Sequence, residues 1–296
     1  MSTWIWLTLM AAVAQAFRSA GQKTLSERVS LWGTTFARYA FALPLAWVYL
    51  FLQLQWQDSE LPEASTTFLL YSLGAGLAQI AATAFIVRLF QLRNFAIGII
   101  YSKSEAVLVA VLGALVFSQV LSWAGWVSVL LGMVGLIFLN PPSQQKGLRS
   151  LFSMSAGLGL AGGFCFAVTS LWVRQASLSL GVDPLVASAY TLATTISMQI
   201  VLLGGFILFR EPHTLGKLVQ QWKLSSTVGF LSLVGSIGWF TAFSLQNPAL
   251  VKTLGQVECF FALLLSTRLF KETHTLREYC GMGLILASVI LLLWLA

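Results

Sequence analysis

The sequence predicts an all-α membrane protein of ten transmembrane helices, arranged as two inverted five-helix repeats. Three observations carry that expectation. The 296 residues are 57% hydrophobic and 9% charged, with a mean hydropathy of +0.83, against about 25% charged in an ordinary soluble domain. So little polar surface cannot cover a water-soluble body of this size, which excludes a soluble enzyme, a disordered chain and a disulfide scaffold. Apolar stretches of about 20 residues recur along the chain, the length that crosses a bilayer as helix. The second half repeats the polar landmarks of the first at a nearly constant offset.

A transmembrane barrel is excluded by the pattern. Its strands alternate apolar and polar residues, whereas Ala106 to Phe117 carries no polar side chain. Backbone in lipid must satisfy its own hydrogen bonds, so uninterrupted apolar runs are read as helices. Ten spans fit: 3–20, 30–54, 66–91, 95–117, 121–140, 153–178, 184–209, 224–246, 248–270 and 275–295. Ends are set by punctuation. Asn140-Pro141-Pro142 stops the fifth span, Asp183-Pro184 starts the seventh with an N-cap and an N1 proline, and Asn247-Pro248 divides the eighth from the ninth. The polar connections 53–65, 140–152 and 210–223 are the longest. Trp4, Trp6, Trp56, Trp123, Trp126, Trp222 and Trp294 lie near span ends, as an interfacial belt requires. Trp4 to Phe17 is apolar, and Ala14-Gln15-Ala16 resembles a cleavage site. No basic residue precedes it, so it reads as the first span rather than a signal peptide.

Charge orients the chain. Of 17 Lys and Arg, fourteen fall at the connections following the odd-numbered spans: Arg18, Lys23, Arg28, Arg38, Arg88, Arg93, Lys146, Arg149, Arg210, Lys217, Lys223, Arg268, Lys271 and Arg277. Arg38 lies inside span 2. The connection after span 2 is acidic, with Asp58, Glu60 and Glu63. The positive-inside rule then puts both termini on the non-cytoplasmic side of a bacterial inner membrane. The net charge of +7 is accounted for by anionic headgroups and needs no nucleic acid.

The duplication rests on polar matches. Asn94, Ala96, Glu105 and Phe117 recur as Asn247, Ala249, Glu258 and Phe270, shifted by 153; Ala16, Ser19 and Lys23 recur as Ala167, Ser170 and Arg174, shifted by 151. The repeats are residues 1–142 and 150–296. Each has an odd number of spans, so the copies enter the membrane in opposite senses. Such repeats put a binding site near the midplane at their interface, and rocking of one on the other exposes it alternately.

The residues Phe36-Ala37-Arg38-Tyr39-Ala40-Phe41-Ala42, Ser104-Glu105-Ala106-Val107, Gly132 to Gly135, Val257-Glu258-Cys259-Phe260, Phe270-Lys271-Glu272 and Gly281 to Leu286 resemble the drug/metabolite transporter superfamily. Within it they are most similar to the ten-helix EamA-type members. The resemblance covers nearly the whole chain and implies a transporter. It departs from the family at three points. Ala106 and Cys259 stand where a proline usually follows each glutamate. Ser118-Gln119 replaces the usual Gly-Glu closing span 4, whose counterpart in the second half is Glu272. The charge bias also puts the termini opposite to familiar members.

Charges in the hydrocarbon cost about 2.5–3.5 kcal/mol each and mark function by default. Glu105 and Glu258 lie near mid-span and are the candidate proton-coupling groups, since a carboxylic acid in a low dielectric titrates nearer neutrality. The competing reading is that each glutamate only ties helices together. Helical geometry turns Lys103 away from Glu105, towards the cavity or a neighbouring helix. Lys252 is nearer a span end and fits snorkelling equally well. Arg38 suits two roles, a partner for either glutamate or a clamp on an anionic solute. Gln15, Gln79, Thr83, Gln199 and Gln256 add hydrogen-bonding groups; Tyr101 and Trp239 add ring faces. The expected substrate site is thus Gln15, Arg38, Gln79, Tyr101, Lys103, Glu105, Trp239, Gln256 and Glu258. For each neutral member, plain helix–helix packing is the competing reading. Glycines 74, 76, 157, 159, 162, 163, 281 and 283 read as close-packing positions.

Cys165, Cys259 and Cys280 read as buried structural residues; with His213 and His274 in connections, no metal site, cofactor site or catalytic triad can be assembled. An intramembrane enzyme would need paired catalytic groups in the spans, and an ATP-driven pump a GxxxxGK[ST] loop; neither is present. The expected partners are a small-molecule substrate and the lipid bilayer, with a homodimer as an admissible assembly. Export of a metabolite or drug-like solute is the leading reading, followed by import or exchange of an anionic or nucleotide-linked metabolite, then a non-transporting membrane subunit.

Overall fold

The computed structural model describes residues 2–92, 102–139, 154–271 and 275–295. These residues form helices and connecting turns. Tyr101, from the expected site, lies outside them, as do Asn94, Ala96, Glu272, His274 and the cations Arg93, Lys146 and Arg149.

Helix α1 runs Thr3–Ser26, past the expected end at residue 20. The second span is divided. Ser30 caps α2 (Leu31–Ala40), its side chain accepting from the Gly33 N–H at 3.1 Å, and α3 follows at Leu43–Trp56. Pro44 explains the break, because it has no N–H to continue the ladder and its ring crowds the carbonyl four residues earlier. Then come α4 (Thr66–Leu92), α5 (Glu105–Phe117), α6 (Trp123–Leu139), α7 (Met154–Ser179) and α8 (Pro184–Arg210). The Asp183 side chain accepts from the Leu185 N–H at 2.8 Å, so the expected cap is made. The connection after α8 is not only loop: it holds α9 (His213–Gln220), which His213 starts. Helix α10 spans Trp222–Leu245.

The ninth span is also divided. Asn247 caps α11 (Pro248–Leu254) by accepting from Ala249 N–H at 2.9 Å. A 3-10 turn, Gly255–Val257, leads into α12 (Glu258–Phe270), and α13 is Leu276–Leu295. Helices α5 and α12 are alike. Each has 13 residues, opens on a glutamate and closes on a residue in the left-handed region, Ser118 (φ 53°) or Lys271 (φ 53°). Neither glutamate is followed by proline, yet helix begins anew at both.

Seven stretches among the described residues are long and apolar enough to cross a membrane: Leu31–Trp56, Thr66–Leu92, Gly157–Ser179, Pro184–Arg210, Trp222–Leu245, Pro248–Phe270 and Leu276–Trp294. Two shorter apolar helices, Glu105–Phe117 and Trp123–Phe138, join them. Large apolar side chains face outward, Phe209, Leu115 and Val201 among them, while Thr34, Thr195, Gln199, Ser225 and Gln256 are buried. That distribution suits a lipid surround and a polar interior.

The most extensive contacts pair α1 with α10, α4 with α7, and α6 with α13; α5 also packs on α7, α1 on α12, and α3 on α8. Small residues allow the close crossings. A side chain at Gly135 would strike the Gly281 carbonyl and Ile285, and one at Gly74 would strike the Trp172 ring. Gly76, Gly162 and Gly163 are close-packing positions too. Gly157 and Gly283 are exposed, contrary to expectation, and a side chain at either would meet nothing within 4 Å among the described residues. Cys280 likewise is exposed rather than buried.

Candidate functional site

Four helices converge on the breaks before α5 and α12. One face of α1 presents Gln15, Arg18 and Gln22, spaced three and four apart so that they stack on one side. Helix α4 brings Gln79 and Thr83, the last turn of α2 brings Arg38, and α10 brings Trp239 and Phe243. Glu105 and Glu258 each sit at the first position of a helix, where the aligned N–H groups favour a negative charge.

Two ion pairs lie here, and each joins the first half of the chain to the second. The Lys103 ammonium binds Glu258, with side chains 2% and 1% exposed. Lys252 Nζ lies 3.1 Å from Glu105 Oε1. Lys103, in the turn before α5, therefore takes the second of the two directions left open, pairing with a neighbouring element, and Lys252 is a paired interior cation rather than a snorkelling one. Glu258 Oε2 also accepts from Gln15 Nε2 at 2.6 Å, and Gln15 Oε1 accepts from the Trp239 indole N–H at 2.8 Å. Lys252 stands over the rings of Trp239 (4.2 Å), Phe243 (5.3 Å) and Phe166 (5.9 Å), an aromatic enclosure for its charge.

Arg38 is 3% exposed. Its Nη1 donates to Thr83 Oγ1 at 2.7 Å, and Thr83 donates in turn to the Gln79 carbonyl at 2.8 Å. Gln79 Oε1 accepts from Gln199 Nε2 at 2.9 Å. Each glutamate thus has a lysine as its ion-pair partner, while Arg38 donates to Thr83.

Two small hollows of about 10 and 20 Å³ lie within this network, each with room for roughly one water. The first is walled by Gln15, Arg18, Gln22, Thr83, Ser102 and Glu258. The second is walled by Gln15, Arg38, Gln79, Trp239, Phe243 and Lys252, among others. Gln15 and Phe166 border both. Among the described residues no group of three His, Cys, Asp or Glu could hold a metal ion.

Of the expected site residues, Gln15, Arg38, Gln79, Lys103, Glu105, Trp239 and Glu258 come together. Gln256 does not join them. It is fully buried against Gly132 of α6, and neither amide atom meets a hydrogen-bond partner among the described residues. Arg18 was missed: it stood among the connection cations because span 1 was ended at residue 20. It is 4% exposed, and so neither Arg18 nor Arg38 is a loop charge. The polar stripe Gln15–Arg18–Gln22 was the available signal, since an apolar helix that places three such groups on one face is turning that face to other protein or to water. Gly163 keeps the site tight, because a side chain there would strike Ser104 Oγ and approach the Glu105 amide to 3.2 Å.

Comparison with known proteins agrees with this architecture. One solved crystal structure aligns over 100% of this chain and 97% of its own, with a TM-score of 0.73 and 14% identity, which shows a shared fold. The protein described as "Uncharacterized inner membrane transporter YedA" in Escherichia coli K12 is 30% identical over 173 residues, as are its counterparts in strains O6:H1 and O157:H7. The match takes in 56% of this chain and 51% of each relative, so the chain spans about half the length of the curated relatives it matches. Residues 153–294, which hold α12 and its opening glutamate, match the model of the EamA-like transporter family.

Proposed function

We propose that the chain is a secondary transporter that exports a small metabolite or drug-like solute across the cytoplasmic membrane. It works by alternating access between two inverted five-helix repeats, residues 1–142 and 150–296, which together make ten spans. The observation that carries this reading is the crossing of the two ion pairs: each buried glutamate, at a helix break, is held by a lysine from the other half. Helix packing supports it. If α1, α4, α5 and α6 exchange with α7, α10, α12 and α13, the contact of α1 with α10 becomes that of α7 with α4. Likewise α1 with α12 becomes α7 with α5, and α6 with α13 maps onto itself. The family match over residues 153–294 and the name of the Escherichia coli relatives point the same way.

In this mechanism the solute enters between the halves, beside Arg38, Gln15, Gln79 and Trp239. Protonation of Glu258 or Glu105 removes the charge that holds the opposing lysine, frees one half from the other, and couples rocking to the proton gradient. The remaining basic connections orient the termini to the non-cytoplasmic side. Purified protein in liposomes tests the reading. Solute counterflow is expected, and gradient-dependent flux is lost in Glu105→Gln and Glu258→Gln. Flux that keeps its gradient dependence in both variants removes the carboxylates from coupling; absence of flux with any solute favours a non-transporting subunit. Exchange of an anionic metabolite is the second reading, favoured by the two buried arginines.

A further inference from the structure

Six charges meet inside the bundle: Arg18, Arg38, Lys103 and Lys252 against Glu105 and Glu258. The lysines are matched one to one with the glutamates, and two arginines remain. Arg18 Nε and Nη1 are buried and meet no hydrogen-bond partner among the described residues, and Gln22 Nε2, one turn further along the same face, is in the same condition. All three atoms belong to side chains that wall one hollow. Thr83, which also lines the hollow, takes the hydrogen bond of Arg38.

One unmatched acceptor shares the hollow, Glu258 Oε1, but its carboxylate is already paired with Lys103; the other three unmatched atoms are donors. A guanidinium stays ionised at any physiological pH and accepts no hydrogen bond. Leaving such donors buried and unmade is costly, more so when they are charged. Water entering the hollow would satisfy N–H groups but would leave two positive charges in a low dielectric. The group that completes the site must accept several hydrogen bonds and bring negative charge. From this we infer that Arg18 and Gln22, with Arg38 beyond Thr83, form an oxyanion site that takes the carboxylate or phosphate of a small solute. Planar guanidinium donors match both oxyanions. The site belongs to the first repeat alone: the shift of 151 that relates Lys23 to Arg174 carries Arg18 to Thr169, which is uncharged. As the substrate class, the oxyanion rests on the transport reading, but its binding is measured without flux.

The experiment is thermal unfolding of the purified full-length chain with acetate, inorganic phosphate or acetamide, at ionic strength held constant with sodium chloride. Acetate or phosphate is expected to raise the midpoint above the chloride background while neutral acetamide does not; the anion that does so identifies carboxylate or phosphate, and a response to both identifies a general oxyanion site. Arg18→Gln is expected to weaken the apparent affinity by about tenfold or more. Arg88→Gln, which removes an exposed guanidinium bonded to Gln91, leaves it unchanged. If Arg18→Gln is not recovered folded, Gln22→Leu and Arg18→Lys are read in the same assay, and a weakened anion response in either supports the site. The inference is overturned if neither anion exceeds acetamide, or if the response persists undiminished in the Arg18 and Gln22 variants. Anion binding without counterflow would refute transport and leave the site standing.

Discussion

Glu105 and Glu258 occupy matching places in the chain and open helices of equal length, yet their surroundings differ. Glu258 shares one carboxylate oxygen between Lys103 and Gln15, and Gln15 passes the connection on to Trp239. Its other oxygen, Oε1, is buried without a partner among the described residues, and Glu258 walls the hollow that holds Arg18. Glu105 pairs with Lys252, whose ammonium is enclosed by three aromatic rings. The lysines break the repeat. Lys103 precedes its own helix's glutamate by two residues and Lys252 by six, and a shift of 153 takes Lys103 to Gln256 and Lys252 to Ile99. The acids recur at that shift and the bases do not. Glu258 itself walls a hollow, whereas Glu105 holds a lysine that borders the second hollow among aromatic rings.

That contrast is open to test, and the largest effect is expected at Glu258. Glu258→Gln leaves the buried Lys103 charge without its counter-ion and is expected to cost about 3–5 kcal/mol, read by denaturant or thermal unfolding of the purified protein. The double variant Lys103→Met/Glu258→Leu removes both charges and is expected to recover most of that loss; failure to recover would mean that the pair's geometry matters beyond its charge. Glu105→Gln is expected to cost less, about 1–3 kcal/mol, because the rings around Lys252 still stabilise its charge by up to ~2 kcal/mol. Equal losses at the two glutamates would remove the aromatic enclosure from the explanation.

A smaller loss is expected from Gly163→Ala. The new methyl group would push on Ser104 and the Glu105 amide, at a cost of about 1–3 kcal/mol, and should slow flux by displacing Glu105. The corresponding crowding on the α12 side is Gly255 against Trp239, and comparing the two alanine variants shows which break tolerates movement. The smallest effect is a gain. Ser118 and Lys271 hold left-handed backbone with an ordinary side chain, which costs about 1–2 kcal/mol relative to a right-handed conformation. Ser118→Gly and Lys271→Gly relieve that strain at the price of unfolded-state entropy, so each is expected to stabilise by about 0.5–1 kcal/mol.

Much of the helical plan was legible before any coordinates. The caps at Asp183-Pro184 and Asn247-Pro248 mark helix starts because their chemistry is local: a side-chain oxygen meets an N–H two residues on, and proline needs none. Span 2 was expected unbroken over 30–54; its division at Pro44 has an equally local cause but was not read from the sequence. The division before Glu258 has no such local cause, since no proline marks it; there the backbone yields to packing, with Gly255 pressed on Trp239. Within the site, Glu105, Glu258, Lys103 and Arg38 stood out because charge is rare in apolar spans. Arg18 did not, because its helix continues six residues beyond the boundary that hydropathy suggested, to Ser26.

Sequence alone determined the composition class, the helical periods, the caps and the repeated acids, all of which follow from neighbouring residues and from the energetics of placing backbone and charge in lipid. It did not determine who pairs with whom. Lys103 meets Glu258 across 155 positions and Lys252 meets Glu105 across 147. Ion pairing depends on distances of a few ångströms, and only the packing of one half on the other brings such remote residues that close. The same packing leaves Arg18 and Gln22 as donors without acceptors.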